Sequence, residues 1–418
     1  MSGFSRTVTV RLKADTTYLY EVGSNVHTRR LLRTASVAIL CGLLLTSCSD
    51  SPRELGTGPV SEQTDSGRAR PELGKEYPLP DEAAHIKEIS DLFTGLSERK
   101  YPPSVRPMRR DAHTKAHGCV KAEFAVPAQV PERARLGIFR EPSARPAWIR
   151  YSNAFSSIES DGNLDVRGMA IKVMGVEGEK LLDSEKLEKT QDFLLINTNV
   201  FFSPNTSEYV KFSREYVKNE STLGYVLWPT RWRQAGILYR AARNTMTNPL
   251  TSRFWSSVPY KLGTAAVKYS ARPCAGVVPA GKAGASPDFL REAMAATLRN
   301  GEACFEFMVQ FQMDPVKMPV EDPSVEWEES ASPFITVATL KIPKQVFDSE
   351  RQMAYCEALS FTPWHSLPEH QPIGGVNRIR KAVYERASTL RHTANGVPRR
   401  EPTGFEDFKD VAPTGPPQ

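Results

Sequence analysis

Arg380 and Tyr384 stand four residues apart in Gly374-Gly375-Val-Asn-Arg-Ile-Arg380-Lys-Ala-Val-Tyr384. On a helix that spacing puts both on one face, where a guanidinium can stabilise a phenolate and lower its pKa. A phenolate is a ligand for ferric iron. Alone, the pair reads as an ordinary tyrosine packed on an arginine. His113 and His117 are also four apart and could share a metal on a helix, but Thr114 stands where a helical zinc-protease motif carries glutamate. Gly276-Val-Val-Pro-Ala-Gly281-Lys282 imitates a phosphate loop, yet Ala283 replaces the hydroxyl that would hold Mg²⁺, Pro279 interrupts it, and no buried parallel strand precedes it. It reads as a plain loop. No G-x-S-x-G occurs, which removes the simplest esterase reading.

The elements that must position these residues are visible as hydrophobic periods. Ala83, Ile86, Ile89, Leu92, Phe93 and Leu96 predict an amphipathic helix over 81–97. Val120, Ala122, Phe124 and Val126 alternate with Lys121, Glu123 and Ala125, the period of a half-buried strand. Segments 148–152, 166–173 and 335–342 are rich in β-branched and aromatic residues and predict further strands. Helices are expected over 207–218, 231–246 and 287–299, the last with Phe289, Leu290, Met294 and Leu298 on one face. The mixture predicts an α+β fold built on an antiparallel sheet or barrel, as one unit over residues 78–395. No repeat is visible, and residues 396–418 lack periodicity and read as a disordered tail.

The chain begins with an address. Arg29-Arg30-Leu-Leu-Arg33, the apolar run Ala35–Leu45 and Thr46-Ser47-Cys48 read as a signal peptide over 1–47, too short in its apolar part to span a bilayer. Leu45-Thr46-Ser47-Cys48 resembles the bacterial lipobox, which makes Cys48 the lipid-bearing first residue of the mature chain. An ordinary cleavage nearby is the alternative, and the long stretch before the basic pair leaves the start codon open. Residues 48–77, rich in Ser, Gly, Pro and charge, read as a tether. These features predict a periplasmic or extracytoplasmic protein anchored to a bacterial membrane. The composition is that of a soluble globular protein: 40% hydrophobic and 24% charged, with 54 Lys+Arg against 48 Asp+Glu. That imbalance is too small and too dispersed for a nucleic-acid surface. Cys119, Cys274, Cys304 and Cys356 are scattered singly, so zinc and thioredoxin patterns fail, while one or two disulfides of unassigned pairing are allowed.

Several motifs, taken in order, resemble the haem catalase superfamily, in particular its catalase-like branch of small bacterial and hydroperoxide-rearranging haem proteins. His113-Thr-Lys115-Ala-His-Gly118 is similar to the distal-histidine motif, which implies that His113, not His117, faces the haem. Arg150-Tyr-Ser152 resembles the strand with a haem-propionate arginine and a serine that orients the histidine, and period two puts both on one face. Without the resemblance, Arg150 would read as a surface arginine. Arg167-Gly-Met-Ala-Ile-Lys172 is similar to the family's Arg-Gly-Phe-Ala-Val-Lys strand, and Phe201-Phe202 to a Phe-Phe pair beside the haem. Arg380-x-x-x-Tyr384 resembles the proximal motif, with tyrosine the axial iron ligand.

The resemblance implies a catalase-like antiparallel barrel whose surrounding helices enclose haem b. His113, Ser152 and Asn197 become the catalytic candidates, and Arg150, Arg167, Phe201, Phe202, Arg380 and Tyr384 hold the cofactor. The departures are specific. Aligned on Asp192 and Phe201-Phe202, Ile196 stands at the position of the distal asparagine, with Asn197 and Asn199 beside it. Ala382 and Arg386 replace the Phe and Asp that flank the family tyrosine. The expected activity is processing of hydrogen peroxide or an organic or lipid hydroperoxide, with a homo-oligomer left open. Ile196 favours an organic substrate, because it removes a polar contact for a small peroxide. The competing readings are a haem-binding or redox-sensing lipoprotein with little turnover, and a haem-free binding protein on the same scaffold.

Overall fold

The computed structural model describes residues 70–243, 246–276 and 284–410. The leader, Cys48 and residues 277–283 of the glycine loop lie outside them. The strands are β1 (Ala116–Val126), β2 (Ser143–Asn153), β3 (Arg167–Met174), β4 (Thr190–Ile196), β5 (Phe254–Trp255), β6 (Tyr260–Leu262), β7 (Ala265–Pro273), β8 (Ala303–Phe311) and β9 (Ile335–Ile342). Every pairing is antiparallel, in the order β5-β4-β3-β2-β1-β9-β8-β7-β6. A further pairing of β5 with β7 closes eight strands into a barrel, with β6 outside the ring. Closure leaves only short edges. The expected strands over 166–173 and 335–342 match β3 and β9, while those over 120–126 and 148–152 are parts of longer strands.

Alternation decides what each face does. On β2, β3 and β4 the residues Ile149, Tyr151, Met169, Ile171, Phe193 and Leu195 point inward into one buried cluster. Phe124, Phe139, Phe193, Tyr269 and Phe307 fill the centre, with ring centroids 4.8 to 6.5 Å apart. The barrel interior is therefore solid, and a ligand must sit against its outer wall.

The helices are α1 (Glu82–Lys100), α2 (Thr206–Asn219), the single turn α3 (Leu223–Val226), α4 (Trp232–Ala242), α5 (Phe289–Asn300), α6 (Glu350–Ala358) and α7 (Gly375–Asn395). Asn205 caps α2 by accepting from the Glu208 amide at 2.9 Å, and α7 ends at Gly396 in the left-handed conformation. α1, α2 and α7 pack through Ile89, Val210 and Ile379. Arg378 near the start of α7 is fixed by Glu82 at 2.5 Å and Glu321 at 2.8 Å. Two disulfides staple the fold, Cys119–Cys356 from β1 to α6 and Cys274–Cys304 at the ends of β7 and β8.

The tail expected from residue 396 is corrected over 397–410. Phe405 packs edge-on to Trp148 at 5.5 Å, and Glu401 enters a buried ionic network with Lys172 at 2.6 Å. Lys172 also pairs with Asp192 at 2.7 Å. Thr190 donates to Glu401 at 2.6 Å, Glu185 pairs with both His365 and Arg399, and the His365 ring lies 3.6 Å from Glu401. Glu185, His365 and Glu401 lie close enough together to ligate a metal, but Lys172 and Arg399 already neutralise their carboxylates. The segment lacks a hydrophobic period because it docks through single residues rather than through a continuous face.

Candidate functional site

β2, β3 and β4 place Ser152, Gly168 and Ile196 directly opposite one another, continuing to Trp255 on β5. Residues opposed in this way project from the same side of a sheet. That side is the outer wall, the face opposite Tyr151, Met169 and Leu195. His113 lies over this row. Its Nδ1 is 3.0 Å from the Ser152 hydroxyl, and its Nε2 has no partner among the described residues. Gly168 makes the space: a Cβ there would lie 2.7 Å from Nδ1 and 2.8 Å from Cε1 of the imidazole.

His113 has φ +55°, a conformation that non-glycine residues adopt at a cost and that recurs at functional positions. Three backbone contacts hold it. The His113 amide donates to the Ala154 carbonyl at 3.1 Å, the Thr114 amide to the Phe155 carbonyl at 3.2 Å, and Arg150 Nη2 donates to the His113 carbonyl at 2.8 Å. Burial and the charges of Arg150, Arg380 and Arg110 depress the imidazole to about 3. It is neutral at physiological pH and able to accept a proton. His117 does not share its site. It lies in β1, 1% exposed, with both ring nitrogens unpartnered and Asp161 3.8 Å away, so no helical two-histidine metal site forms.

Arg150 projects from the same face as Ser152 and meets Arg110 and Arg391 around Glu357. Arg110 contacts the Glu357 carboxylate at 2.9 Å, Arg150 lies at 3.8 Å, and Arg391 donates to the Glu357 carbonyl at 2.6 Å. Burial tends to raise Glu357, but the guanidinium charges outweigh it and hold the carboxyl ionised. Burial pushes the Asp111 carboxyl up, so it balances little. Three cations face one settled anion. Burial and the neighbouring Arg110 accordingly depress Arg150 and Arg391 to about 9 each, and Arg150 Nε is buried without a partner. Sequence reasoning found Arg150 but missed Arg110, Arg391 and Glu357. Arg110 is three residues before His113, a proximity that could have flagged it.

α7 supplies the other wall. Arg380 and Tyr384 share its face one turn apart, and Phe201 stacks under the Arg380 guanidinium at 5.7 Å. Burial disfavours the Arg380 charge, but the oxygens of Tyr384, Tyr260 and Tyr209 outweigh it and raise its pKa. Burial raises the Tyr260 phenol to about 12 against the opposing charge of Arg380. Arg380 lies near enough to His113 to depress the imidazole, which puts the α7 pair on the histidine's side of the barrel wall. Phe202 packs at a tilt against Phe201 at 4.8 Å and against Phe212 at 4.6 Å, extending an aromatic cluster into α2.

Two expected site residues lie elsewhere. Arg167 precedes Gly168 and so faces away from the outer wall. It donates to the carbonyls of Asp161 at 2.7 Å and Asn163 at 3.2 Å and pairs with Asp165 at 3.3 Å. Asn197 follows Ile196, and its side-chain oxygen accepts the Arg167 amide at 2.8 Å. It closes the end of the β3–β4 ladder, and Ile196 occupies the place beside the histidine.

The donor set fits haem. A phenol beside a guanidinium stands on one wall, an imidazole with one free nitrogen on the other, and surplus guanidinium charge waits beside them for a flat ring with two carboxylates.

A closed eight-stranded antiparallel barrel with this helical wall is the catalase-like fold. The structure resembles a fungal catalase (TM-score 0.56, 18% identity, covering 80% of this chain and 67% of that one). Catalase A from Saccharomyces cerevisiae matches at TM-score 0.55 and 17% identity, over 79% of this chain and 70% of that one. A bacterial catalase matches at TM-score 0.54 and 17% identity, over 88% and 70%. No protein-family model matches the sequence, and no curated protein does.

Proposed function

We propose that the chain is a haem-dependent oxidoreductase acting on hydroperoxides, in which Tyr384 would ligate the haem iron. The observation that carries this reading is the arrangement of His113: neutral, held by Ser152 on Nδ1, free on Nε2, and seated over a glycine that leaves it room. Haem b, when bound, supplies the redox chemistry that breaks the O–O bond. Arg110, Arg150 and Arg391 hold its propionates, and Arg380 keeps positive charge beside the Tyr384 oxygen. His113 Nε2 takes the proton of the incoming hydroperoxide and returns it to the departing oxygen, as a general base and then a general acid. Ser152 fixes the imidazole orientation through both transfers.

Ile196 supports an organic or lipid hydroperoxide over hydrogen peroxide, because it gives the histidine an apolar neighbour where an amide would offer a hydrogen bond. The lipid on Cys48, the periplasmic address and anchoring to a bacterial membrane belong to the same proposal and rest on the sequence. The same Ile196 favours the second reading, a haem-binding or redox-sensing lipoprotein with negligible turnover.

The test is the visible spectrum of the full chain produced with haem, beside Tyr384→Phe, followed by steady-state assays with hydrogen peroxide and a fatty-acid hydroperoxide. A ferric spectrum altered by the substitution, with hydroperoxide turnover, supports the enzyme. The same spectrum without turnover supports the sensor. An unaltered spectrum removes Tyr384 as ligand, and folded protein without haem overturns both readings.

A further inference from the structure

Residues 221–287 contain nine lysines and arginines and not one aspartate or glutamate. Within this stretch α3, the turn after it and α4 present an exposed aromatic ridge: Leu227 is 57% exposed, Trp228 59% and Trp232 65%. Trp148, Trp327 and Trp364 are all buried, so solvent exposure at 228 and 232 is a local choice. Ala235, Ile237 and Ala241 form the buried face of α4. Helical spacing puts Trp232, Tyr239, Arg240 and Arg243 together on the opposite face. Arg231 packs over the Tyr225 ring at 4.4 Å and pairs with Glu208 at 3.3 Å, and Arg233 lies 3.9 Å from Asp322. Arg240 and Arg243 are exposed and have no ion pair among the described residues.

We propose that this ridge is a membrane-docking surface that seats on an anionic lipid bilayer. Tryptophan is the side chain that most favours the headgroup boundary, and a row of unpaired arginines beside it complements phosphate-bearing lipids. A protein partner would meet a patch with exposed tryptophans and cations but no free anion, since Glu208 and Asp322 at its border already face Arg231 and Arg233. A lipid surface needs none. Among the described residues no helix is long and apolar enough to cross a membrane, so the contact lies in the interfacial plane. The inference is independent of the peroxide chemistry and of acylation at Cys48.

The test uses the full chain carrying Cys48→Ala, so that no lipid is attached, with vesicles of phosphatidylcholine alone or mixed with phosphatidylglycerol. Binding is expected to the anionic vesicles and to weaken with salt. Trp228→Ser/Trp232→Ser is expected to raise the lipid concentration for half-binding by more than about tenfold. Arg240→Gln/Arg243→Gln is expected to raise it about fivefold per arginine. Brominated lipids should quench the unsubstituted chain and not the double tryptophan variant. The leader carries no tryptophan, so insertion of its apolar run cannot imitate that signal. Equal vesicle affinity of the double tryptophan variant with unchanged quenching overturns the proposal. So does lipid-free self-association in sedimentation velocity that the tryptophan substitutions abolish, which would assign the ridge to a second copy of the chain. Unchanged thermal unfolding of the variants excludes misfolding as the cause.

Discussion

Gly168→Ala is the sharpest perturbation of the proposed proton path, because the atoms nearest the added methyl belong to the distal pair. The new Cβ would stand 2.7 Å from His113 Nδ1, 2.8 Å from Cε1 and 3.1 Å from the Ser152 oxygen. Ordinary contact begins at 3.4 Å, so the ring must retreat by roughly 0.7 Å or rotate away from Ser152. Displacements near 1 Å at a reacting group cost up to about a hundredfold in rate. A fall of about 10- to 100-fold in hydroperoxide turnover is therefore expected for the haem-loaded variant. The strained contact should also remove about 1–3 kcal/mol of stability, as overpacking does. Ser152→Ala removes the hydrogen bond without moving the ring and should cost about fivefold, from a bond of roughly 1 kcal/mol. The assay is stopped-flow reduction of a fatty-acid hydroperoxide at matched haem content, with unfolding followed in parallel. Full activity in both variants would refute the assignment of His113 as the proton carrier.

Ile196→Asn restores an amide beside His113 and is expected to raise the rate for hydrogen peroxide relative to a fatty-acid hydroperoxide by about tenfold, read as a ratio of kcat/KM values. No rise in that ratio would remove the substrate argument. Burial and Arg150 hold His113 at about 3, so the basic form persists far below pH 6.5, and kcat/KM should show no acid limb at the ordinary histidine value. The unfolded chain takes up this proton first, so His113 contributes a loss of stability as pH falls from 6.5 towards 3. His113→Gln should lose that part of the acid sensitivity in urea titrations at stepped pH. Glu401→Gln leaves Lys172 buried with Asp192 as its only carboxylate and should cost about 3 kcal/mol in the same titrations. A change below about 0.5 kcal/mol would make the C-terminal segment an ornament rather than a brace.

The sequence disclosed whatever depended on spacing within one element. The alternation of Val120 to Val126, the apolar stripe of α5 and the pairing of Arg150 with Ser152 are local periods, and the structure keeps each. The one-turn relation of Arg380 to Tyr384 is equally local. Register across strands is not local, and spacing within one element does not reveal it. Arg167 and Gly168 differ by one residue and therefore by one whole face, so a motif match could not say which of them borders the histidine. Ile196, which the sequence already puts at the distal-asparagine position, lies opposite Gly168. Arg110, Arg391 and Glu357 come from three distant segments, and a lone charge in each gives no pattern. The disulfide pairs were unreadable because four scattered cysteines allow several pairings.

The two walls of the site are made at opposite ends of the chain, and Cys119–Cys356 ties β1 to α6, the helix before α7, across 237 residues. A nascent chain that has completed β1 to β4 has its imidazole in place but lacks α7, the tyrosine and one of the three arginines. The barrel cannot finish before β9 reaches β1, so the fold has a high contact order and assembles late. Closure of the two walls around the proposed haem site is then a late event of synthesis. A chain interrupted between residues 342 and 384 has every strand of the barrel and still lacks the tyrosine.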